Sequence, residues 1–502
     1  MVRLASEAPA KLKKPSIWIP VFVFLVLALQ GSLFGLTDDE AYYWVLAQRP
    51  AWGYAFHPPA VAWSLAIFQA LLHGILSPGA PALVRIASAF FTASIVGLGL
   101  RWMLDAGARE SGLGRGAGAL LGFAGMFALS WMMVPDLPLF LGWMIAFNAV
   151  FRLCFREPKF RDLVALAGGL CLAILSKYSG ILVAVSAGAC LLLWAPKRVR
   201  NRGIWAIGLG AVLGLIPIFI SNFQNGWGSL AYQLHDRHSG SQLSWLRYGR
   251  FWAIQLALTG PLLLYSFGFA RRISRGGEKL ASAYVAIWSA PAALIYFTQP
   301  LMSEFKPHWA LIAWLPFALE LGLEWSHRPR SPWARAQVAY GFPLILFVLV
   351  ACRYPVGSKL MTLLGPKPLN PKLDVTNDLY GWSDFPSHLI KLERQGAIPG
   401  NLPVVGSRYQ TASQAAFALG ALNRVTLIPR DDKQMAEWPN LAVSDGQGPA
   451  WPKLLTSVLF VADNRYDAGP EFPGARCWKL ESLKKMRGPF SAREIHVWRC
   501  EP

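Results

Sequence analysis

The sequence predicts a mainly α, polytopic membrane protein: a bundle of about eleven transmembrane helices with a small C-terminal α/β domain outside the cytoplasm. Three observations carry this. Of the 502 residues, 54% are hydrophobic and only 15% are charged, where a soluble chain carries about 25% charged residues. Apolar runs long enough to cross the ~30 Å hydrocarbon core recur through residues 1–352. The connections between them alternate in charge, every second one being rich in Lys and Arg. The 22 tryptophans agree, since Trp collects where hydrocarbon meets headgroups.

The first run is 17–36, IWIPVFVFLVLALQGSLFGL, preceded by Lys11, Lys13 and Lys14. It is longer than the apolar part of a signal peptide and no small-residue cleavage site follows it, so it reads as an uncleaved helix. The remaining candidates are 82–103, 117–134, 137–154, 162–176, 179–195, 203–221, 250–270, 280–298, 308–324 and 337–352. With the N-terminus in the cytoplasm, the inside connections read RESGLGR (109–115), FREPKFR (155–161), PKRVRNR (196–202), RRISRGGEK (271–279) and HRPRSPWAR (327–335). All are strongly basic, so the positive-inside rule explains much of the net charge of +20 without a nucleic-acid partner. Segment 61–76, VAWSLAIFQALLHGIL, is apolar but short, and counting it as a span would break the alternation; it reads as an interfacial helix.

Two domains are expected: 1–352, transmembrane, and 353–502, an extracytoplasmic α/β domain. In the tail, LPVVGSRY (402–409), RVTLIP (424–429), SVLFVAD (457–463) and EIHVWRC (494–500) read as strands, and QTASQAAFALG (410–420) as a helix ending at Gly. Cys477 and Cys500 lie in this tail and can pair if it faces an oxidising compartment, although spacing alone leaves two free thiols equally open. No CxxC occurs, which argues against a thiolate metal site.

The outer connections hold the ionisable residues. TDDEAYYW (37–44) places Asp38, Asp39 and Glu40 against the end of the first span. YAFHPP (54–59) carries Tyr54 and His57, VPDLP (134–138) carries Asp136, and KYS (177–179) carries Lys177 and Tyr178. Loop 222–249 holds His235, Asp236, Arg237, His238 and Arg247, and loop 298–308 holds Glu304, Lys306 and His308. Ionisable groups at the hydrocarbon boundary are costly and commonly functional. Taken singly, His235, His238, Glu304 and Arg247 read equally well as wetted loop residues. Asp39, Glu40 and Asp136 recur at helix ends on one side, where a bundle can gather them. A carboxylate there can take a hydroxyl proton, and Lys177, Arg237, Arg247 and Lys306 can receive a leaving phosphate. The three acids can also ligate Mg²⁺ or Mn²⁺, though the reading requires no metal.

DDEAYYW, YAFHPP, PDLPLFLGW (135–143), KYSG (177–180) and KPHWALIAWLP (306–316), in that order, resemble the bacterial glycosyltransferase family 39/83 group. That group has the GT-C fold and includes protein O-mannosyltransferases and the lipid A aminoarabinose transferase. NDLYGW (377–382) and VVGSRYQTASQAAFALG (404–420) are similar to the outer domain of its bacterial members. The resemblance implies transfer of a sugar from a polyprenyl-phosphate carrier to a hydroxyl of lipid A or another glycolipid, a cell-envelope glycan or a protein, at the outer face of the bacterial inner membrane. It implies that Asp39 is the catalytic base or acceptor-orienting group, Glu40 its partner and Asp136 the second acid; Asp38 stands outside the matched pair. Tyr54 and His57 match the segment that contacts the donor phosphate, some relatives carrying Lys where this chain has His57. Lys177, Tyr178, Arg237, Arg247 and Lys306 complete the candidate donor set. Attack opposite the leaving group inverts configuration, by analogy with glycoside hydrolysis. The alternative readings are a transporter or lipid flippase, which also uses intramembrane acids but usually shows repeats and midplane charges, and an O-antigen-type ligase, of which Arg237 and Arg247 are a weak echo.

Overall fold

Apolar runs become helices along most of the described chain, and a small sheet forms near its C-terminus. The computed structural model describes residues 14–234, 242–275, 279–365, 369–427, 454, 456–465 and 469–502. Among them, five helices are long and apolar enough to cross a membrane: Ala82–Asp105, Asp136–Phe155, Lys197–Gln224, Leu280–Met302 and Pro332–Arg353. This is a multi-pass membrane protein. Shorter apolar helices cover Pro15–Gly31, Ala60–Leu72 and Tyr178–Trp194.

Two expected spans are broken. Over 117–134 the structure has Glu110–Leu121 and Ala124–Ser130, bent by 78°. The Gly122 carbonyl there accepts from Gln337 Nε2 at 2.9 Å, and Gly341 presses so close to that carbonyl that it leaves no room for a side chain of its own. Segment 250–270 becomes Trp245–Thr259 and Pro261–Phe267 around Gly260, whose φ of 58° and contact with the Tyr340 ring admit only glycine. The helix Leu311–His327 carries two buried acids that would resist a place in hydrocarbon, and both are satisfied. Arg272 Nε and Nη2 donate to Glu320 at 2.9 Å each, while Tyr265 and Ser331 donate to Glu324 at 3.1 and 2.6 Å.

The chain divides into two compact units. The first comprises Met1–Leu27, Ala51–Val61 and Ser88–Ile345, and its described elements are helical. Within it, Asp136–Phe155 and Phe160–Ser176 form a hairpin. A Cβ on Gly142 would sit 2.6 Å from the Gly169 carbonyl, and one on Gly169 would sit 2.7 Å from the Gly142 carbonyl. Small residues thus let the two backbones touch. Beside them Trp143 stacks on Phe147 at 4.8 Å, with Trp288 edge-on at 5.0 Å. The short connection turns the chain back on itself, so the start of the first helix lies beside the end of the second.

The second unit comprises Ala28–Pro50, Ala62–Ala87 and Leu346–Pro502. Its strands are β1 (Val404–Gly406), β2 (Val425–Leu427), β3 (Val458–Asp463), β4 (Arg476–Lys479), β5 (Leu483–Arg487) and β6 (Phe490–Glu501). The order is β2-β1-β3-β6-β4, with β5 also on β6. β1 pairs in parallel with β2 and β3, and the helix Tyr409–Leu419 makes the first crossover, ending at Gly420 with φ 61°. The four expected strands appear as β1, β2, β3 and β6. β4 and β5 are additional: their half-exposed, Arg- and Lys-containing sequences lack apolar alternation.

Cys477 and Cys500 face each other across β4 and β6 and form a disulfide, Cα to Cα 4.1 Å. Neither should react with a thiol reagent before reduction. For the loop closed by a separation of 23 residues, Cys→Ser at either position should lower unfolding free energy by about 3 kcal/mol. Full labelling of both thiols in unreduced protein contradicts this.

Candidate active site

The helix Asp38–Ala47 belongs to the second unit, and its start is held by a capping box. The Thr37 side chain accepts from the Glu40 amide at 3.4 Å, and the Thr37 amide donates to Glu40 Oε2 at 2.9 Å. Arg85 then takes the whole Glu40 carboxylate: Nε to Oε1 and Nη2 to Oε2, both at 3.1 Å. The same guanidinium donates to the carbonyls of Gly31, Phe34 and Gly35 at 2.9, 3.1 and 2.7 Å, where the first helix has ended and left acceptors open. Both side chains of the pair are 0% exposed. Asp38 is also buried and accepts from Gln414 Nε2 at 3.0 Å. Asp39 is the exposed member of the three. All the other residues of Asp38–Ala47 are buried, so Asp39 is the one side chain of this helix that is exposed.

Asp136 and Lys177 lie in the first unit, at the two helix ends that the hairpin brings together. Lys177 Nζ donates to Asp136 Oδ1 at 2.8 Å. Each sits at the helix end its charge favours, Asp at an N-terminus and Lys at a C-cap. Asp136 is 2% exposed. His308 Nε2 stands 3.7 Å from Asp136 Oδ2, and His57 lies near enough to act on the carboxylate electrostatically. Lys306 acts in the same way on His308, and the Trp309 ring centroid lies 5.5 Å from Lys177 Nζ. One buried carboxylate therefore organises a cluster in which bases outnumber acids, a setting suited to a phosphate.

The other expected site residues make contacts of their own. The Tyr54 amide donates to the His57 carbonyl at 3.0 Å and its hydroxyl accepts from the Ala51 amide at 3.1 Å, which shapes the turn before Pro58 and Pro59. Tyr178 Oη meets Ser229 Oγ at 2.7 Å. Arg247 caps the end of the helix Lys279–Met302, donating to the carbonyls of Pro300 and Leu301 at 2.9 and 3.3 Å. Arg237, with His235, Asp236 and His238, lies outside the described residues. Among the described residues, no group of three or more His, Cys, Asp or Glu side chains is gathered that could hold a metal ion.

Sequence reasoning overlooked Arg85, Gln414 and Arg493. Arg85 had a signal, being the charge at the start of the apolar run ALVRIASAFF. Gln414 and Arg493 had none, because their importance depends on partners far away in the chain.

Residues 56–221, about a third of the chain, match the family model described as dolichyl-phosphate-mannose-protein mannosyltransferase. The matched segment contains His57, Arg85, Asp136, Lys177 and Tyr178. No curated protein matches the sequence. Among solved structures, ArnT from Cupriavidus metallidurans in the apo state aligns over 96% of this chain and 97% of its own, with 13% identity and a TM-score of 0.61. The chain has the GT-C fold. ArnT bound to undecaprenyl phosphate aligns over the same shares of both chains, with 14% identity and a TM-score of 0.60. The GT-C resemblance carried by the motifs thus holds for segment 56–221 by family model and for nearly the whole chain by fold.

Proposed function

We propose that this GT-C protein is a membrane glycosyltransferase that moves a sugar from a polyprenyl phosphate to an acceptor hydroxyl. The observation that carries the reading is the sorting of the three acids: Asp38 and Glu40 are buried against their partners, and Asp39 is presented to solvent. A base must reach the proton it takes. Asp39 takes the proton of the acceptor hydroxyl as the hydroxyl oxygen attacks the anomeric carbon; the bond from that carbon to the phosphate oxygen breaks, and the phosphate leaves with the electron pair. Lys177, His57 and Lys306 stabilise the leaving phosphate, with Asp136 holding the ammonium in place. The displacement inverts configuration, and no step runs through a metal. The reading includes eleven spans, a cytoplasmic N-terminus, a transmembrane catalytic domain over 1–352 and an extracytoplasmic domain over 353–502 in a bacterial inner membrane. The five basic connections support that topology. The acceptor is a glycolipid such as lipid A, an envelope glycan or a protein.

Purified protein in liposomes, given a polyprenyl-phosphate sugar and acceptor, should release free polyprenyl phosphate. Glycolipids of a deletion strain compared with its parent by mass spectrometry identify the acceptor. Proton-gradient-dependent uptake with no transfer from any such donor marks a transporter instead. Lys177→Met should lower kcat about 10²-fold or more, the loss typical of one donor to a developing oxyanion; a rate within twofold of wild type removes Lys177 from the phosphate site.

A further inference from the structure

Asp38 sits one residue before the proposed base, and its surroundings come from the C-terminal part of the second unit. Gln414 is 1% exposed and stands on the helix between β1 and β2. Its Nε2 donates to both Asp38 Oδ1 and the Leu36 carbonyl at 3.0 Å, bracketing the start of the acid helix. Arg493, on β6 and also 1% exposed, has Nη1 3.8 Å from Asp38 Oδ1. That Nη1 bonds closely to Asp463 Oδ2 at the end of β3, and Nη2 donates to Asp378 Oδ1 at 3.1 Å. Arg465 closes the group, paired with Asp378 and 3.9 Å from Asp38 Oδ2. Three carboxylates and two guanidiniums thus share one network, buried at Asp38, Asp463 and Arg493 and partly buried at Asp378 and Arg465, in which Asp38 is the member contributed by the acid helix.

Farther along, the helix is held by rings. Tyr42 meets Tyr409 at 5.1 Å and Trp44 meets Phe417 at 5.4 Å, both edge-on. These contacts fix the helix against Tyr409–Leu419 but leave its first turn to the polar bonds. Buried ionic groups contribute little net stability over apolar replacements, and their best-attested use is to fix geometry. A network that ends on the residue beside the base suits that use.

Resting on the reading of Asp39 as base, we infer that Gln414 and Arg493 are positioning residues for the transfer: through Asp38 they set the direction in which Asp39 points. Neither touches substrate. A misplacement of about 1 Å at a reacting group can cost about 10²-fold in rate. Because Asp38 is the link, the effects of Gln414 and Asp38 must be non-additive.

The experiment measures kcat and both KM values for full-length Gln414→Leu, Asp38→Asn, their double variant and Arg493→Lys in liposomes, alongside Asp39→Asn. Elution and melting are recorded for each, and Gln414→Asn replaces Gln414→Leu if the latter does not fold. The expected result is a loss of about tenfold to a hundredfold in kcat with both KM values near wild type, the double variant being no worse than the worse single. Wild-type kcat in folded Gln414 variants, an additive double variant, or a loss appearing only in KM overturns the inference while Asp39→Asn stays inactive. Normal turnover by Asp39→Asn overturns the base assignment itself, and the positioning role with it.

Discussion

Replacing Asp39 with Asn should reduce sugar transfer about 10²–10⁴-fold while the protein still inserts and elutes as folded. The amide keeps the shape of the side chain but removes its charge and, with it, the ability to take a proton. In free energy the loss amounts to about 3–5 kcal/mol of transition-state stabilisation. Stability should change far less. Asp39 is exposed in the first turn of its helix, where an acid contributes at most about 1 kcal/mol through the helix dipole. The two effects therefore separate cleanly: activity should collapse while the melting temperature moves by a few degrees. Asp38→Asn should fall between wild type and Asp39→Asn, because Asp38 acts only through position. Near-normal turnover by Asp39→Asn removes it as the base.

The acids were visible as a cluster in TDDEAYYW, but their division of labour was not. Which carboxylate is buried depends on Arg85, 45 residues later, and on Gln414, 376 residues after Asp38. No local pattern reports such partners. The pairing of Asp136 with Lys177 has the same origin, since it follows from Gly142 and Gly169 drawing two helices together. Apolar runs were legible because burial in lipid needs little more than length and composition. The breaks at Gly122 and Gly260 were not, because each arises where another helix approaches its backbone, at Gly341 and Tyr340 respectively. In the sheet, β1, β3 and β6 carry buried apolar stretches that identify them, whereas β4 and β5 expose Arg and Lys and are recognisable mainly through their pairing with β6.

Arg85→Met should be the most destabilising single change near the acid helix. It strips both guanidinium bonds from the Glu40 carboxylate, leaving it the Thr37 donors, and removes the opposite charge from a site that is 0% exposed. Removing one partner of a buried pair typically costs about 3–5 kcal/mol. Three carbonyls, Gly31, Phe34 and Gly35, lose their donor as well, at about 1–3 kcal/mol for each that water cannot reach. A domain stable by about 5–15 kcal/mol can be emptied of its folded state by such a sum. The expected signs are a low yield of folded protein and a lowered melting temperature in detergent. Arg85→Lys should rescue only in part, because one ammonium cannot reproduce a planar fork that serves two carboxylate oxygens and three carbonyls. The double variant Arg85→Met with Glu40→Met should melt above Arg85→Met alone, since no charge is then left buried. It should still melt below wild type, because the three carbonyls stay without their donor. Equal melting of Arg85→Met and wild type would show that the pair has no structural weight. A double variant whose loss equals the sum of the two singles would show that Arg85 acts on the carbonyls and not through Glu40.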